Sequence, residues 1–241
     1  MPNSEVIINQ ETRKDFKGIS GSALKLIALI TMLLDHIGAI LIVSPAPYYT
    51  LRLIGRIAFP IFCFLLVEGF LHTKNLKKYA FRLFLFALIS EIPFDLAFYH
   101  TGFYPDSQNV FFTLFIGLLV ISFNHYLDDI LKDKPGIHLI CRAATITAGM
   151  GIAWYLKTDY SYIGIVAIAL LYHFRNNRMV AAADACLLLM FSSSMEISSF
   201  VCLPLIKAYN GKRGLSLKYI FYLFYPVHLL ILHLISLWIF N

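Results

Sequence analysis

Asp35 and His36 stand side by side inside the apolar run Leu26 to Val43. A charged side chain in the bilayer core costs roughly 2.5 to 3.5 kcal/mol on insertion scales, so an ionisable pair there needs partners and usually a task. Three more groups have the types and spacing to join it. Arg52 and Arg56 are four residues apart, as are Glu91 and Asp95, and each pair therefore shares one helix face. Tyr225 lies one turn before His228. A histidine takes or gives a proton near neutral pH, a carboxylate orients it, and a guanidinium or phenol steadies an oxygen that gains charge. These are the parts of a group transfer or of proton handling.

The composition decides which elements must position them. The 241 residues are 59% apolar and 14% charged, with a mean hydropathy of +0.72, and apolar runs recur along the whole chain. A soluble domain of this length needs far more polar surface, so the pattern predicts an all-α, polytopic integral membrane protein. Lipid cannot satisfy backbone groups, so spans are helices or a closed barrel. The runs are mostly near 20 residues without two-residue alternation, which excludes the barrel. The net charge of +6 is spread over short loops and fits membrane orientation better than nucleic acid. The four cysteines, Cys63, Cys141, Cys186 and Cys202, lie in apolar segments at spacings unlike a metal knuckle; they read as packed small hydrophobes, and no metal is expected. Residues 1–23 read as a cytoplasmic polar tail carrying Arg13, Lys14 and Lys17, with no cleaved targeting peptide, and residues 24–241 as a single transmembrane helical domain.

The spacing predicts about nine spans: residues 24–43, 50–71, 78–99, 109–126, 137–156, 160–174, 179–193, 196–209 and 218–240. The seventh and eighth are the weakest. Ser20 or Ser22 starts the first, and Ser44-Pro45-Ala46-Pro47 ends it. The even-numbered connections hold Lys74, Lys77, Lys132, Lys134, Arg175, Lys212 and Arg213, whereas the odd ones hold only Lys157. Basic residues concentrate in cytoplasmic loops, so the N-terminus is expected in the cytoplasm and the C-terminus outside. His36 then lies roughly 18 Å into a core of about 30 Å. Arg52, Arg56, Glu91, Asp95 and His228 fall at similar depth. Buried ion pairs between the two arginines and Glu91 with Asp95 would account for part of this by packing alone. Asp35 is a further partner for the arginines, and Glu91 or Asp95 is a better orienter of His36 than its own neighbour, which points about 100° away. Pro60, Pro93 and Pro226 each free a carbonyl one turn earlier and kink the helix or open it toward a cavity.

Three stretches carry a resemblance. They are Leu24-Lys25-Leu26-Ile27-Ala28 with Met32 to Gly38, Arg52 to Phe62, and Ser90-Glu91-Ile92-Pro93-Phe94-Asp95. With Tyr225-Pro226-Val227-His228 they resemble the TraX family, strongly over residues 24–99 and weakly over 110–210. The multi-helix pattern and the Tyr-Pro-x-His ending are loosely similar to membrane acyltransferases that use cytosolic acetyl-coenzyme A. The resemblance implies a bacterial inner-membrane acetyltransferase, its acceptor an amine or hydroxyl at the outer face, such as a conjugative pilin N-terminus or a cell-surface glycan.

In that chemistry His36 is the base, helped by Asp35, Glu91 or Asp95, with His228 a second histidine of the site. Arg56 with Arg52 or Tyr225 stabilises the oxyanion or holds the acceptor. A covalent acyl-histidine is the alternative route. The anionic nucleotide end of the donor belongs at the cytoplasmic mouth, near Lys25, Arg142, Lys78, Lys212 and Arg213. Two other readings use the same residues: a proton-coupled transporter or permease, against which the halves show no internal repeat, and a non-catalytic partner of a pilus machine.

Overall fold

The computed structural model describes residues 18–216 and 218–240; Arg13, Lys14 and Lys17 of the polar tail lie outside them. The described residues form helices without a β-strand: α1 (Gly21–Leu41), α2 (Pro45–Gly55), α3 (Ala58–His72), α4 (Leu76–Tyr99), α5 (Val110–Ile130), α6 (Pro135–Tyr155), α7 (Ser161–His173), α8 (Arg178–Leu189), a 3-10 helix (Ser194–Val201), α9 (Cys202–Lys207) and α10 (Lys218–Phe240). Segments Gly21–Leu41, Pro45–His72, Val110–Ile130, Pro135–Tyr155 and Tyr219–Phe240 are long and apolar enough to cross a membrane. The chain is an all-helical membrane protein. The weak later runs fold as shorter pieces: α7 has 13 residues and α8 has 12, and the last run becomes the 3-10 helix followed by six-residue α9. A helix needs about 20 residues to span the hydrocarbon by itself.

Local signals set the helix ends. The Ser20 side chain accepts the N–H of Ala23 and caps α1. Asn75, Asn109 and Asn177 do the same for α4, α5 and α8. Pro45 opens α2, where its missing N–H is no loss. Pro60 lies in the first turn of α3, and the chain turns at Arg56 and Ile57 just before it. Pro93 and Pro226 sit inside continuous helices, whereas the expected span over residues 50–71 divides into α2 and α3 just before Pro60.

Contacts sort the loops into two ends. At one end Ile19 pairs with Tyr209, Gly21 and Ser22 donate to the carbonyls of Lys212 and Arg213, and Arg178 donates to the Tyr209 carbonyl. At the other, Gln108 pairs with Thr158, Lys157 bonds Asp106, and Tyr99 stacks on Tyr104. Helices α1, α3, α4, α5 and α10 run between these ends and pack around an apolar core that includes Leu24, Ile61, Leu83, Leu118 and Leu229.

Candidate functional site

Asp35 is the hub of the polar cluster. Arg52 Nη1 lies 2.6 Å from its Oδ2, and Arg56 Nη2 lies 2.7 and 2.6 Å from Oδ1 and Oδ2. The pairing follows from the α1–α2 hairpin, which lays the arginine face of α2 against Asp35. Gly55 makes the approach possible: a Cβ there would lie 2.1 Å from that of Asp35. Both arginines therefore answer to Asp35 and not to Glu91 and Asp95. Those two acids turn to the loop that follows their own helix. Glu91 accepts from the Asn109 side chain at 2.5 Å, and Asp95 accepts the Tyr104 N–H at 2.8 Å. Neither orients His36.

His228 does. His36 Nδ1 is 2.7 Å from His228 Nε2, and the two rings are parallel within 2°. His228 Nδ1 is 2.7 Å from the Phe224 carbonyl. A carbonyl only accepts, so His228 carries its proton on Nδ1, its Nε2 is an acceptor, and His36 must donate through Nδ1. The His36 Nε2 is thereby left with a lone pair. Phe98 and Tyr225 meet the His36 ring edge-on at 5.4 and 6.0 Å and hold its plane.

A cavity of about 230 Å³ opens onto His36, with His228 behind it, and is lined by His36, Asp35, Arg52, Arg56, Tyr160 and Tyr225 among others. Three of the residues around it escaped the sequence reading. Glu196, on the 3-10 helix, takes Arg56 Nη1 at 3.3 Å. Tyr160 takes the same nitrogen at 3.3 Å, and its ring stacks on Phe59 with centroids 3.6 Å apart. Asp159 lines the cavity, with its carboxylate accepting the Tyr160 N–H at 3.0 Å. Enclosure raises the Asp159 carboxyl above its ordinary range, while the Arg56 guanidinium pulls it down. The available signal was an acid inside or beside an apolar stretch, the same signal that drew attention to Asp35.

Two more cavities follow in succession along α1. A narrow apolar one of about 80 Å³ shares Met32, Phe62, Val110 and Tyr225 with the histidine chamber. It also shares Lys25, Leu65, Tyr79, Phe221 and Tyr222 with a third, of about 480 Å³, at the end where Ile19 meets Tyr209. Lys25, Leu29, Met32 and His36, at helical spacing on α1, lie along the whole row. The large cavity gathers Lys25, His72, Lys74, Arg82 and Arg213 against the carboxylate of Glu68.

Of the five expected donor-binding cations, Lys25 and Arg213 line that mouth. Lys78 and Lys212 are not among its walls; Lys212 contributes a backbone carbonyl to Gly21 instead. Arg142 sits elsewhere, 3.7 Å from Asp128 and bonded to His173. Lys74, just before α4, and the α4 face that carries Tyr79 and Arg82 line the mouth instead. Among the described residues no group of three or more His, Cys, Asp or Glu is arranged to hold a metal ion.

A family model described as TraX protein matches residues 20–236. A curated relative, "Probable fimbrial assembly protein FimC, serogroup H1" of Dichelobacter nodosus, is 34% identical over 241 residues, covering 88% of this chain and 94% of the relative. No solved structure matches.

Proposed function

Because the chain belongs to the TraX family, we propose that it is a multi-pass acetyltransferase of the bacterial cell membrane. It moves an acetyl group from cytosolic acetyl-coenzyme A to an amine or hydroxyl acceptor at the outer side. The relative's name places that protein in fimbrial assembly, which makes a pilin N-terminus or another surface molecule the acceptor class to test first. The nine-pass arrangement belongs to this proposal: α2 with α3 forms one pass, and the 3-10 helix with α9 forms another. The N-terminus is then cytoplasmic and the C-terminus outside.

One observation carries the reading: a basic mouth, an apolar neck and a histidine chamber stand in a row along α1. Lys25 and His36 are 11 residues apart, about 16 Å along the helix. An anionic head at Lys25, Lys74, Arg82 and Arg213, with its thin arm through the neck, brings an acyl thioester to His36. His36 Nε2 accepts the proton of the acceptor nitrogen or oxygen as that atom bonds to the carbonyl carbon. As the carbon–sulfur bond breaks, the histidine returns the proton to sulfur. His228 keeps His36 in the tautomer that can do this. Asp35, Arg52 and Arg56 set the potential on the carbonyl side.

The test is release of free thiol from acetyl-coenzyme A by purified protein in lipid nanodiscs, with acetylated acceptor followed by mass spectrometry. Wild type is expected to release thiol and His36→Ala to release none. Solute uptake by vesicles without thioester consumption would replace this reading with the proton-coupled transporter, which the same row of cavities also suits.

A further inference from the structure

We propose that Tyr160 is a catalytic residue of the transfer, its hydroxyl donating to the carbonyl oxygen as that oxygen gains negative charge. The inference rests on the acyltransferase reading above. Arg56 is the cation nearest in kind to that task, but its donors are committed. A guanidinium has five N–H groups. Nε–H goes to the Arg52 carbonyl at 3.4 Å, Nη2 bonds both oxygens of Asp35, and Nη1 meets Glu196 and Tyr160, each at 3.3 Å. All five are taken, so Arg56 has none left for substrate.

What it can do is act through Tyr160. The phenol oxygen accepts from Arg56, and no described group accepts the phenol's own proton. A hydroxyl whose oxygen is held by a cation is a stronger donor, because the charge that builds on it is already stabilised. Its placement is rigid. The ring is clamped face to face on Phe59, and Tyr160 lines the same chamber as His36. Tyr160 and Ser161 both take positive φ, at 60° and 42°. Two consecutive non-glycine residues in that region cost of order 1 to 3 kcal/mol each, and such strain concentrates where a side chain must be aimed. Gly164 one turn on makes room for the arrangement, since a Cβ there would lie 3.0 Å from that of Tyr160 and 3.1 Å from the Phe59 ring.

In the balanced step the acceptor lone pair forms the new bond to carbon and the carbonyl pair moves onto oxygen. That oxygen takes the hydrogen bond from Tyr160. When the pair returns, the carbon–sulfur bond breaks and His36 delivers its proton to sulfur. Tyr160 keeps its proton throughout.

Tyr160→Phe tests this, since it retains the stacked ring and removes only the hydroxyl. We expect kcat for thiol release to fall at least about 100-fold, the scale of losing one oxyanion donor. KM for acetyl-coenzyme A and affinity for an unreactive thioether analogue should stay unchanged. Wild-type kcat in the variant, alongside an active wild type, overturns the role and leaves Arg52, whose buried Nε has no partner, as the donor while the acyltransferase reading stands. Loss of analogue binding together with turnover also overturns it, by assigning Tyr160 to structure. No thiol release from wild type ends both readings at once.

Discussion

His36 Nδ1 and His228 Nε2 lie 2.7 Å apart with their rings parallel, although 192 residues separate them in the chain. The bond from His228 Nδ1 to the Phe224 carbonyl fixes the direction of donation, from His36 to His228 and from His228 to Phe224. A backbone carbonyl thereby decides which ring nitrogen of His36 keeps a free lone pair.

The relay makes His228 a positioning residue. In His228→Phe the acceptor for His36 is gone, and kcat should fall about 100-fold while donor KM holds, as for other orienting partners of a catalytic histidine. His228→Gln, which offers an amide oxygen near the lost Nε2, should recover part of the rate. Equal kcat in the Phe variant and wild type would refute the relay.

Gly55 tests the hub. A methyl group at this position overlaps the Asp35 Cβ and carboxylate, and the helix hairpin has no flexible side chain there to yield. Gly55→Ala should lower stability by roughly 1 to 3 kcal/mol, the range for overpacking, and reduce turnover with it. Thermal melts in detergent give the first quantity and thiol release the second.

Asp159 should leave a mark on the pH dependence of stability. Unfolding frees its carboxyl to ionise at about pH 3.9, whereas enclosure raises that value in the folded protein. The folded form thus holds more protons between the two values, so this group's contribution is fully present below about pH 4 and is lost as pH rises through the raised value. Asp159→Asn should flatten that part of the profile. Parallel slopes in melts of the two proteins would count against it.

The mouth separates two groups of cations. Arg82→Ala or Arg213→Ala should raise donor KM about tenfold, equivalent to about 1.4 kcal/mol, with kcat unchanged. Arg142→Ala should leave KM where it is, because that side chain lies with Asp128 and His173. The opposite ranking of KM values would move the anion site to the Asp128 cluster.

Much of this was legible in the sequence. Hydropathy and run length are properties of each segment alone, so the helical class and a first helix starting at Ser20 or Ser22 could be read in order along the chain, whereas the division of the second run before Pro60 could not. The cost of burying charge pointed to Asp35, His36, Arg52, Arg56 and His228, and all five meet at or beside one chamber. Length also warned that the later runs were weak, and they fold as α7, α8 and the 3-10 helix with α9.

Partnership was decided only by the tertiary structure. Arg52 and Arg56 had acids available on two helices; packing of α2 on α1 gave them Asp35, while Glu91 and Asp95 were turned to Asn109 and Tyr104. The contribution of Tyr160 and Glu196 was equally hidden, since a loop and a 3-10 turn have no periodicity to mark which way a side chain points. Periodicity fixes the face of one helix, and burial cost demands that each charge be answered. Which group answers depends on how helices far apart in sequence rotate and dock against one another.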